Sequence, residues 1–228
     1  MFAAEKDLVY AFKNVASDFI EYDTGTSSPP FFLLEEFDSH FGIADIVMGT
    51  CTRLSQKDLS RDTINLNWVR PIFNLIEDQE ITTDAFTQSY GISKTTARIR
   101  LKEYSDAGFI KKLTKGHYRV IREYKVITDT IIAIEAKLKN WKQALYQAMR
   151  YQRFSNKSYV LLDRKHVKPA LKNIHVFKKK NIGLLSMNDE DYIIHHNPTT
   201  KEAPQTHSFF RLNEAAFNFV KMREEAYA

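Results

Sequence analysis

The feature that most constrains the fold of this chain is an apolar run that ends in two opposite charges. Residues 130–137 contain Thr, Ile and Ala but no Gly or Pro, a pattern typical of a buried β-strand. Side chains alternate along a strand, so Glu135 and Lys137 project from the face opposite to that of Ala136. Burying two charges at the end of an apolar strand costs free energy unless they are paired or bind a ligand. The pattern indicates either a strand-end salt bridge or a site for a divalent metal and a water molecule.

A second apolar run, residues 41–48, carries a single acid, Asp45, in its middle. A carboxylate on a buried strand needs a partner, and a metal ion shared with Glu135 would supply one. Asp129 is the alternative acid, because it lies on the same strand face as Glu135. Its Thr-rich surroundings are more typical of the start of a strand. We therefore favour Asp45 and keep Asp129 as its rival.

A helix and a further strand are predicted after the Glu-x-Lys sequence. Residues 141–154 have helical spacing, and residues 158–162 are again apolar. Gln143, Gln147 and Tyr151 are four residues apart, so they form one polar stripe along the helix. The chain order is therefore a strand with Asp, a strand with Glu-x-Lys, a helix with Gln-x-x-x-Tyr, and a strand.

This order resembles the core of the PD-(D/E)XK superfamily, the restriction-endonuclease-like nucleases, over residues 1–50 and 125–200. The Gln-x-x-x-Tyr spacing is similar to an additional motif of the exonuclease-related branches. The resemblance implies an α/β fold in which a mixed sheet is flanked by helices. It also implies phosphodiester hydrolysis with Mg²⁺ as the cofactor and Mn²⁺ as its substitute. One departure from the family pattern is Ala44, which stands where the family name places proline.

The resemblance gives each matching residue an expected role. Asp45 and Glu135 correspond to the metal-binding carboxylates, and the backbone carbonyl of Ala136 corresponds to a further ligand. Lys137 corresponds to the residue that positions the attacking water and stabilises the phosphate in the transition state. The residues expected beside the phosphate are Gln147 and Tyr151.

A further acid is expected near the metal ion. Glu5, in a helix predicted over residues 3–19, matches an acid that many family members place there, although acids are also common in first helical turns. Glu35 and Glu36 end another apolar strand, and either could join the cluster. Strand parity does not choose between them because the register is unknown.

Some eighty residues separate the Asp45 strand from the Glu135 strand, where a compact core would have a hairpin. Ser93 is a good N-cap, and Gly116 lies in a turn between two short strands. The predicted elements are helices over residues 67–76, 82–90 and 94–107, and strands over residues 109–112 and 117–121.

Helices followed by a β-hairpin are the order of a winged helix-turn-helix, and residues 92–100 resemble its recognition helix. The insertion, residues 53–124, carries 13 Lys and Arg against 9 Asp and Glu, whereas the rest of the chain carries 20 against 19. This excess favours contact with DNA, and a protein-interaction or dimerisation module is the alternative. The residues expected to contact DNA are Lys94, Thr95, Thr96, Arg98, Lys112, Lys115 and Arg119.

The domain prediction is therefore a discontinuous nuclease-like domain, residues 1–52 and 125–228, interrupted by the winged helix-turn-helix of residues 53–124. The amphipathic segment 213–227 could dock on the core or pair with a second copy to form a homodimer. The single cysteine, Cys51, excludes a disulfide framework and a cysteine zinc cluster.

Other sequence signals exclude several classes of protein. No long apolar run or signal-peptide pattern is present, so we expect a cytoplasmic protein without a membrane partner. The absence of Gly-rich phosphate-binding motifs argues against a nucleotide cofactor. The expected function is a Mg²⁺-dependent DNA nuclease, most naturally an endonuclease. The alternative is a DNA-binding regulator or assembly protein that keeps the fold without catalysis, but the presence of Asp45, Glu135 and Lys137 together favours the enzyme.

Overall fold

The computed structural model describes residues 2–227. Within that range the helices are α1 (Glu5–Asn14), α2 (Ala16–Thr24), α3 (Gln56–Leu59), α4 (Val69–Phe73), α5 (Thr83–Tyr90), α6 (Lys94–Asp106), α7 (Trp141–Tyr151), α8 (Lys168–Lys172), α9 (Ile174–Lys180) and α10 (His207–Tyr227). The strands of the same range are β1 (Phe31–Asp38), β2 (Ile43–Thr50), β3 (Glu80–Thr82), β4 (Ile110–Thr114), β5 (His117–Val120), β6 (Ile132–Lys137), β7 (Lys157–Asp163), β8 (Gly183–Met187) and β9 (Tyr192–His196).

The chain divides into two compact units, each built from two separate stretches of sequence. The first unit contains Met1–Thr52 and Thr128–Phe209, and the second contains Arg53–Ile127 and Phe210–Ala228. The sequence prediction assigned the whole of residues 125–228 to the first unit, and the structure differs for the C-terminal part. From Phe210 onwards α10 belongs to the second unit, where the buried Glu214 accepts two hydrogen bonds from the Arg61 guanidinium.

The first unit is a mixed six-stranded sheet flanked by helices, which agrees with the predicted α/β class. The strand order is β1-β2-β6-β7-β8-β9. Strands β6, β7 and β8 are parallel to one another, and the other neighbouring strands pair in the antiparallel sense. Parallel strands need a crossover connection, and α7 provides the one between β6 and β7.

Helices cover both faces of this sheet. Helices α1 and α2 pack their apolar side chains, among them Phe12 and Phe19, on one face together with Ile134 and Ala136 of β6. Helices α7, α8 and α9 pack on the opposite face, against Val160 and other β7 residues. Because strand side chains alternate, Glu135 and Lys137 project from the face that α7 covers.

The second unit combines short helices with a three-stranded antiparallel sheet of order β3-β5-β4. Ser93 is the N-cap that the sequence predicts and accepts a hydrogen bond from the backbone N–H of Thr96, and Thr82 accepts one from that of Ala85 at the start of α5. Helix α6 buries Ala97, Leu101 and Tyr104, the inward positions that its spacing predicts.

Two predicted helices differ from the observed ones. The helix expected over residues 3–19 is interrupted at Val15, whose φ of −113° and ψ of 8° leave the helical region between α1 and α2. The helix expected over residues 67–76 is reduced to α4 after a 3-10 turn at Leu66–Trp68. Among the described residues, the structure has no helix of the length and apolar character needed to cross a membrane.

Candidate active site

Strands β2 and β6 bring Asp45 and Glu135 together. The two strands pair with Ile46 opposite Ile134 and Val47 opposite Ala133, and continuing this register places Asp45 opposite Glu135. Directly opposed residues project from the same face of a sheet. Two acids that are ninety positions apart in the sequence therefore become neighbours at the end of β6.

The two acids differ in their surroundings. The Glu135 side chain is 1% exposed, whereas that of Asp45 is 28% exposed and one of its oxygens, Oδ2, accepts a hydrogen bond of 2.7 Å from the backbone N–H of Ala136. Burial raises the pKa of Asp45, although the Ala136 N–H and the charge of Lys137 oppose that change. Burial and, secondarily, the charge of Asp45 raise the pKa of Glu135. The site therefore favours cations or protons over a free pair of carboxylates.

The ammonium group of Lys137 lies among these oxygen atoms. Its Nζ is 2.8 Å from Glu135 Oε1, 3.2 Å from Glu5 Oε2 and 4.0 Å from Asp45 Oδ2. It also donates a hydrogen bond of 3.0 Å to the backbone carbonyl of Ala136. Burial by itself lowers the pKa of Lys137, but the hydrogen bond and charge of Glu135, helped by the other two acids, outweigh burial and raise it. The four groups around this ammonium are the four expected metal ligands.

Helix α7 adds Tyr151 to the cluster. Its hydroxyl oxygen is 2.5 Å from Glu135 Oε2 and 2.6 Å from the backbone carbonyl of Ile43. A hydroxyl has one proton and can donate to only one of these oxygens at a time, so both contacts are hydrogen bonds when Glu135 itself carries a proton. Gln147 lies one turn earlier on α7. Its Oε1 is buried and has no hydrogen-bond partner within the described part of the chain.

The structure distinguishes between the other candidate acids. The pairing of β1 with β2 places Glu36 between the pairs that oppose Ile46 and Ala44, so it lies beside Asp45, and its charge acts to raise the pKa of Asp45. Glu36 has a φ of 48°, which is uncommon for a residue with a side chain. Glu35 instead forms a salt bridge with Lys13.

Asp129 lies away from this cluster. It precedes β6, whereas Glu135 lies towards the far end of the strand. Its carboxylate accepts a hydrogen bond of 3.2 Å from Thr52, and its backbone N–H donates to the Thr50 carbonyl. The structure therefore brings Asp45, and not Asp129, beside Glu135, and it places Glu36 on the other side of Asp45. If the register of the β1–β2 hairpin had been known, the sequence would have identified Glu36, rather than Glu35, as the neighbour of Asp45.

The donor set fits a hard divalent cation better than a soft one. Asp45, Glu135, Glu5 and the Ala136 carbonyl offer only oxygen atoms, the ligands that Mg²⁺ prefers. Within residues 2–227, however, no three side chains of His, Cys, Asp or Glu are close enough to form a ready metal site. The Lys137 ammonium neutralises the same oxygens, so its side chain would have to move for a metal ion to bind them.

The expected DNA-contacting residues lie on α6 and on the β4–β5 hairpin of the second unit. Thr95 and Arg98 are exposed on α6. Lys94 forms an exposed ion pair of 2.8 Å with Asp84, and the Thr96 hydroxyl is 2.9 Å from that of Ser93. Lys94 and Thr96 therefore already have local partners.

On the hairpin, Lys112 and Lys115 are exposed. Arg119 forms an exposed salt bridge of 2.8 Å with Glu80. Exposed ion pairs of this kind contribute little to stability, so they can exchange for phosphate contacts at small cost.

Comparisons with known proteins give no family assignment. No family model matches the chain, and no curated protein matches it significantly. Among solved structures, a protein of unknown function from Silicibacter pomeroyi is similar with a TM-score of 0.36 and 11% sequence identity, over 87% of this chain and 77% of that one.

Proposed function

We propose that this chain is a divalent-metal-dependent DNA nuclease with a restriction-endonuclease-like core. The observation that carries the proposal is the convergence of Asp45, Glu135 and the Ala136 carbonyl around the ammonium of Lys137. This ammonium carries one positive charge and lies within 4.0 Å of three carboxylates, so it cannot balance the charge of the cluster by itself. A site with this many oxygen donors, partly exposed at the Asp45 side, is suited to a cation that also contacts a substrate.

Each residue has a defined part in phosphodiester hydrolysis. Asp45, Glu135 and the Ala136 carbonyl would hold Mg²⁺, with Glu5 as a further carboxylate at the exposed edge. The bound ion would supply charge neutralisation of the phosphate and a lowered pKa for water. Lys137 would orient the attacking water and stabilise negative charge on the phosphoryl oxygens. The water oxygen bonds to phosphorus as the bond to O3′ breaks, leaving a 5′-phosphate and a protonated 3′-hydroxyl.

Tyr151 and Gln147 would help to position Glu135 and the bound phosphate. Tyr151 holds Glu135 through its hydroxyl group at 2.5 Å. The unpartnered Oε1 of Gln147 is a buried acceptor, and such groups usually gain a partner when a ligand or water binds.

The second unit would recognise DNA as an inserted winged helix-turn-helix. Helices α5 and α6 followed by the β4–β5 hairpin support this assignment, as do the exposed Thr95, Arg98, Lys112 and Lys115. Arg98→Ala combined with Lys94→Ala should weaken binding of duplex DNA strongly, because both residues lie on the first turns of α6. Lys112→Ala and Lys115→Ala should flatten the salt dependence of binding.

The decisive experiment is a cleavage assay with purified protein on plasmid and on single-stranded circular DNA, with Mg²⁺, Mn²⁺ or EDTA. We expect metal-dependent cleavage that Asp45→Asn and Lys137→Ala each reduce by about 100-fold or more, as for other positioned catalytic groups. Asp129→Asn is the matched control and should keep full activity, because Asp129 lies away from the cluster.

A second candidate is a DNA-binding protein without catalysis. The observation in its favour is that the Lys137 ammonium already lies among the acids and that no ready three-side-chain metal site exists in the described residues. Wild-type protein that binds DNA but leaves both substrates uncut with every metal would establish this alternative and reject the nuclease. Loss of cleavage in Asp129→Asn but not in Asp45→Asn would show that the wrong acid has been assigned.

A further inference from the structure

A second stripe of side chains runs along α7 beside the polar stripe that contains Gln147 and Tyr151. Lys142, Tyr146, Arg150 and Arg153 are spaced by four, four and three residues, so they lie on one side of the helix and the turn that follows it. Tyr146 is 66% exposed, so much of its ring is accessible to a ligand. We name these four residues the α7 cationic stripe.

Contacts at Gly42 place this stripe at the border of the candidate active site. Gly42 precedes Ile43, whose carbonyl lies 2.6 Å from the Tyr151 hydroxyl. The guanidinium of Arg150 packs so closely on Gly42 that an added Cβ would lie 2.8 Å from Arg150 Nη2. Phe41, the preceding residue, lies under the guanidinium of Arg153 at 4.8 Å. The stripe and the site therefore share the segment that leads into β2.

Cations and aromatic rings alternate on this surface. The Arg150 guanidinium is 5.5 Å from the centre of the Tyr146 ring, and Lys142 is 5.8 Å from that of Trp141. Neither Arg150 nor Arg153 forms a salt bridge with an acid among the described residues. The arginines that flank the acidic cluster thus keep their charge available for an anionic ligand.

We propose that the α7 cationic stripe binds an unpaired segment of DNA next to the scissile phosphate, with a base stacked on Tyr146 and phosphates on Arg150 and Arg153. The assignment of the scissile phosphate rests on the proposed nuclease function. Exposed rings interleaved with cations match a single strand, because its base faces are accessible for stacking. In a duplex the base faces are covered by neighbouring pairs, and an exposed Tyr146 ring would gain little there.

The test measures binding apart from cleavage. Fluorescence anisotropy in EDTA compares a labelled single-stranded oligonucleotide with the same sequence as a duplex. We expect Tyr146→Ala to weaken single-strand binding by about 10-fold, the lower part of the range for loss of one stacked base, and to leave duplex binding unchanged. Tyr146→Phe keeps the ring and should bind like wild type.

The arginines should respond differently from the ring. Arg153→Gln removes one phosphate contact, so it should reduce the slope of log affinity against log salt concentration by about 0.7, the value expected per phosphate of a single strand. Tyr146→Ala should leave that slope unchanged.

Tyr10→Ala is the matched control. Tyr10 is also 66% exposed on a helix of the first unit, but it lines a cavity with Asp7, Asp189 and Glu190. The cation over its ring, Lys13, is paired with Glu35 and is therefore less available to a phosphate than Arg150 or Arg153. This variant should bind both forms of DNA as wild type does. Weakening equal to that of Tyr146→Ala would overturn the assignment, since it would show that any exposed tyrosine has the same effect.

The outcomes separate this inference from the proposed nuclease function. Wild-type single-strand affinity in Tyr146→Ala overturns the inference even if the protein cleaves DNA. If Tyr146→Ala loses single-strand affinity and the wild-type protein cleaves no DNA, the binding site is supported and the nuclease function is rejected. Tyr146→Ala protein that cuts plasmid normally but cuts single-stranded circles about 10-fold more slowly supports both.

Discussion

At the scale of single residues, the position of the Lys137 ammonium explains how three acids can lie close together. The ammonium contacts Glu135 and Glu5 directly and lies 4.0 Å from Asp45. The sequence predicted that Asp45 and Glu135 belong to one site, because a carboxylate in the middle of an apolar strand needs a partner and the chain order resembles a nuclease core. The sequence did not choose between Glu35 and Glu36, because the register of the β1–β2 hairpin, and no local pattern, decides which of them lies beside Asp45.

The raised pKa of Asp45 leads to a stability prediction. A folded-state pKa above the ordinary 3.8 means that the folded chain binds this proton more tightly than the unfolded chain does. The stability that Asp45 contributes is therefore fully present below its unfolded pKa and is lost as pH rises through its folded pKa. At neutral pH the ionised carboxylate costs stability, and Asp45→Asn removes that cost while keeping an oxygen to accept from the Ala136 N–H.

In thermal melts in EDTA at pH 7.5, the Tm of Asp45→Asn should therefore be roughly 2–4 °C higher than that of wild type. This is the shift that about 1 kcal/mol of stability produces in a chain of this size. The difference should shrink and vanish as pH falls below 3.8. The exposed Asp129→Asn is the control and should melt as wild type does at both pH values. A lower Tm for Asp45→Asn at pH 7.5 would mean that its attraction to Lys137 outweighs the cost of burial.

At the scale of elements, local sequence signals were sufficient to predict where several helices and strands begin and end. The caps at Thr82 and Ser93 act over three residues, so α5 and α6 begin where the sequence indicates. The interruption at Val15 and the close approach of β2 to the segment before β6 depend on tertiary packing, which no local pattern encodes. Gly49 lies at this close approach.

Gly49→Ala should be strongly destabilising for that reason. A Cβ on Gly49 would lie 1.8 Å from the backbone carbonyl oxygen of Thr130, so the backbone of β2 or of the adjacent segment would have to move. We expect a loss of about 3 kcal/mol, at the upper end for overpacking, and a Tm lowered by roughly 6–12 °C.

Gly25→Ala provides the comparison, because Gly25 has a φ of 67° and no neighbouring atom within 4 Å of an added Cβ. It should cost only about 1 kcal/mol, the penalty of the left-handed conformation. The measurement is the Tm of Gly49→Ala and of Gly25→Ala, each compared with that of wild type. Equal losses would show that β2 adjusts to the added methyl group.

At the scale of the whole molecule, the unit boundaries follow contacts that join distant parts of the sequence. Glu214 of α10 is fully buried in the second unit and accepts hydrogen bonds from both Arg61 Nη atoms, from the backbone of Ile64 and from the Tyr124 hydroxyl. The Arg61 guanidinium also lies 3.4 Å from the centre of the Phe217 ring. The sequence showed an amphipathic segment there but not its partner, because Arg61 and Glu214 are 153 residues apart.

Two deletion variants therefore have different expected outcomes. The first removes residues 53–127 and 210–228 together and joins Thr52 to Thr128 with a short Gly-Ser turn. The second removes only residues 53–124 and keeps the C-terminal helix. The junction in the first variant is short because Cys51 and Thr128 form an antiparallel bridge and Asp129 donates a backbone hydrogen bond to Thr50.

The first variant should fold and melt cooperatively by circular dichroism, because it keeps the whole six-stranded sheet and its helices. The second should bind the dye ANS and aggregate, because it leaves Glu214 without the guanidinium of Arg61 and uncovers the otherwise buried Phe217. If the nuclease proposal holds, the first variant should also nick plasmid with Mg²⁺ and lose the duplex affinity that Arg98 and Lys94 supply. A second variant that is soluble and cooperative while the first is unfolded would mean that α10 belongs energetically with the six-stranded sheet.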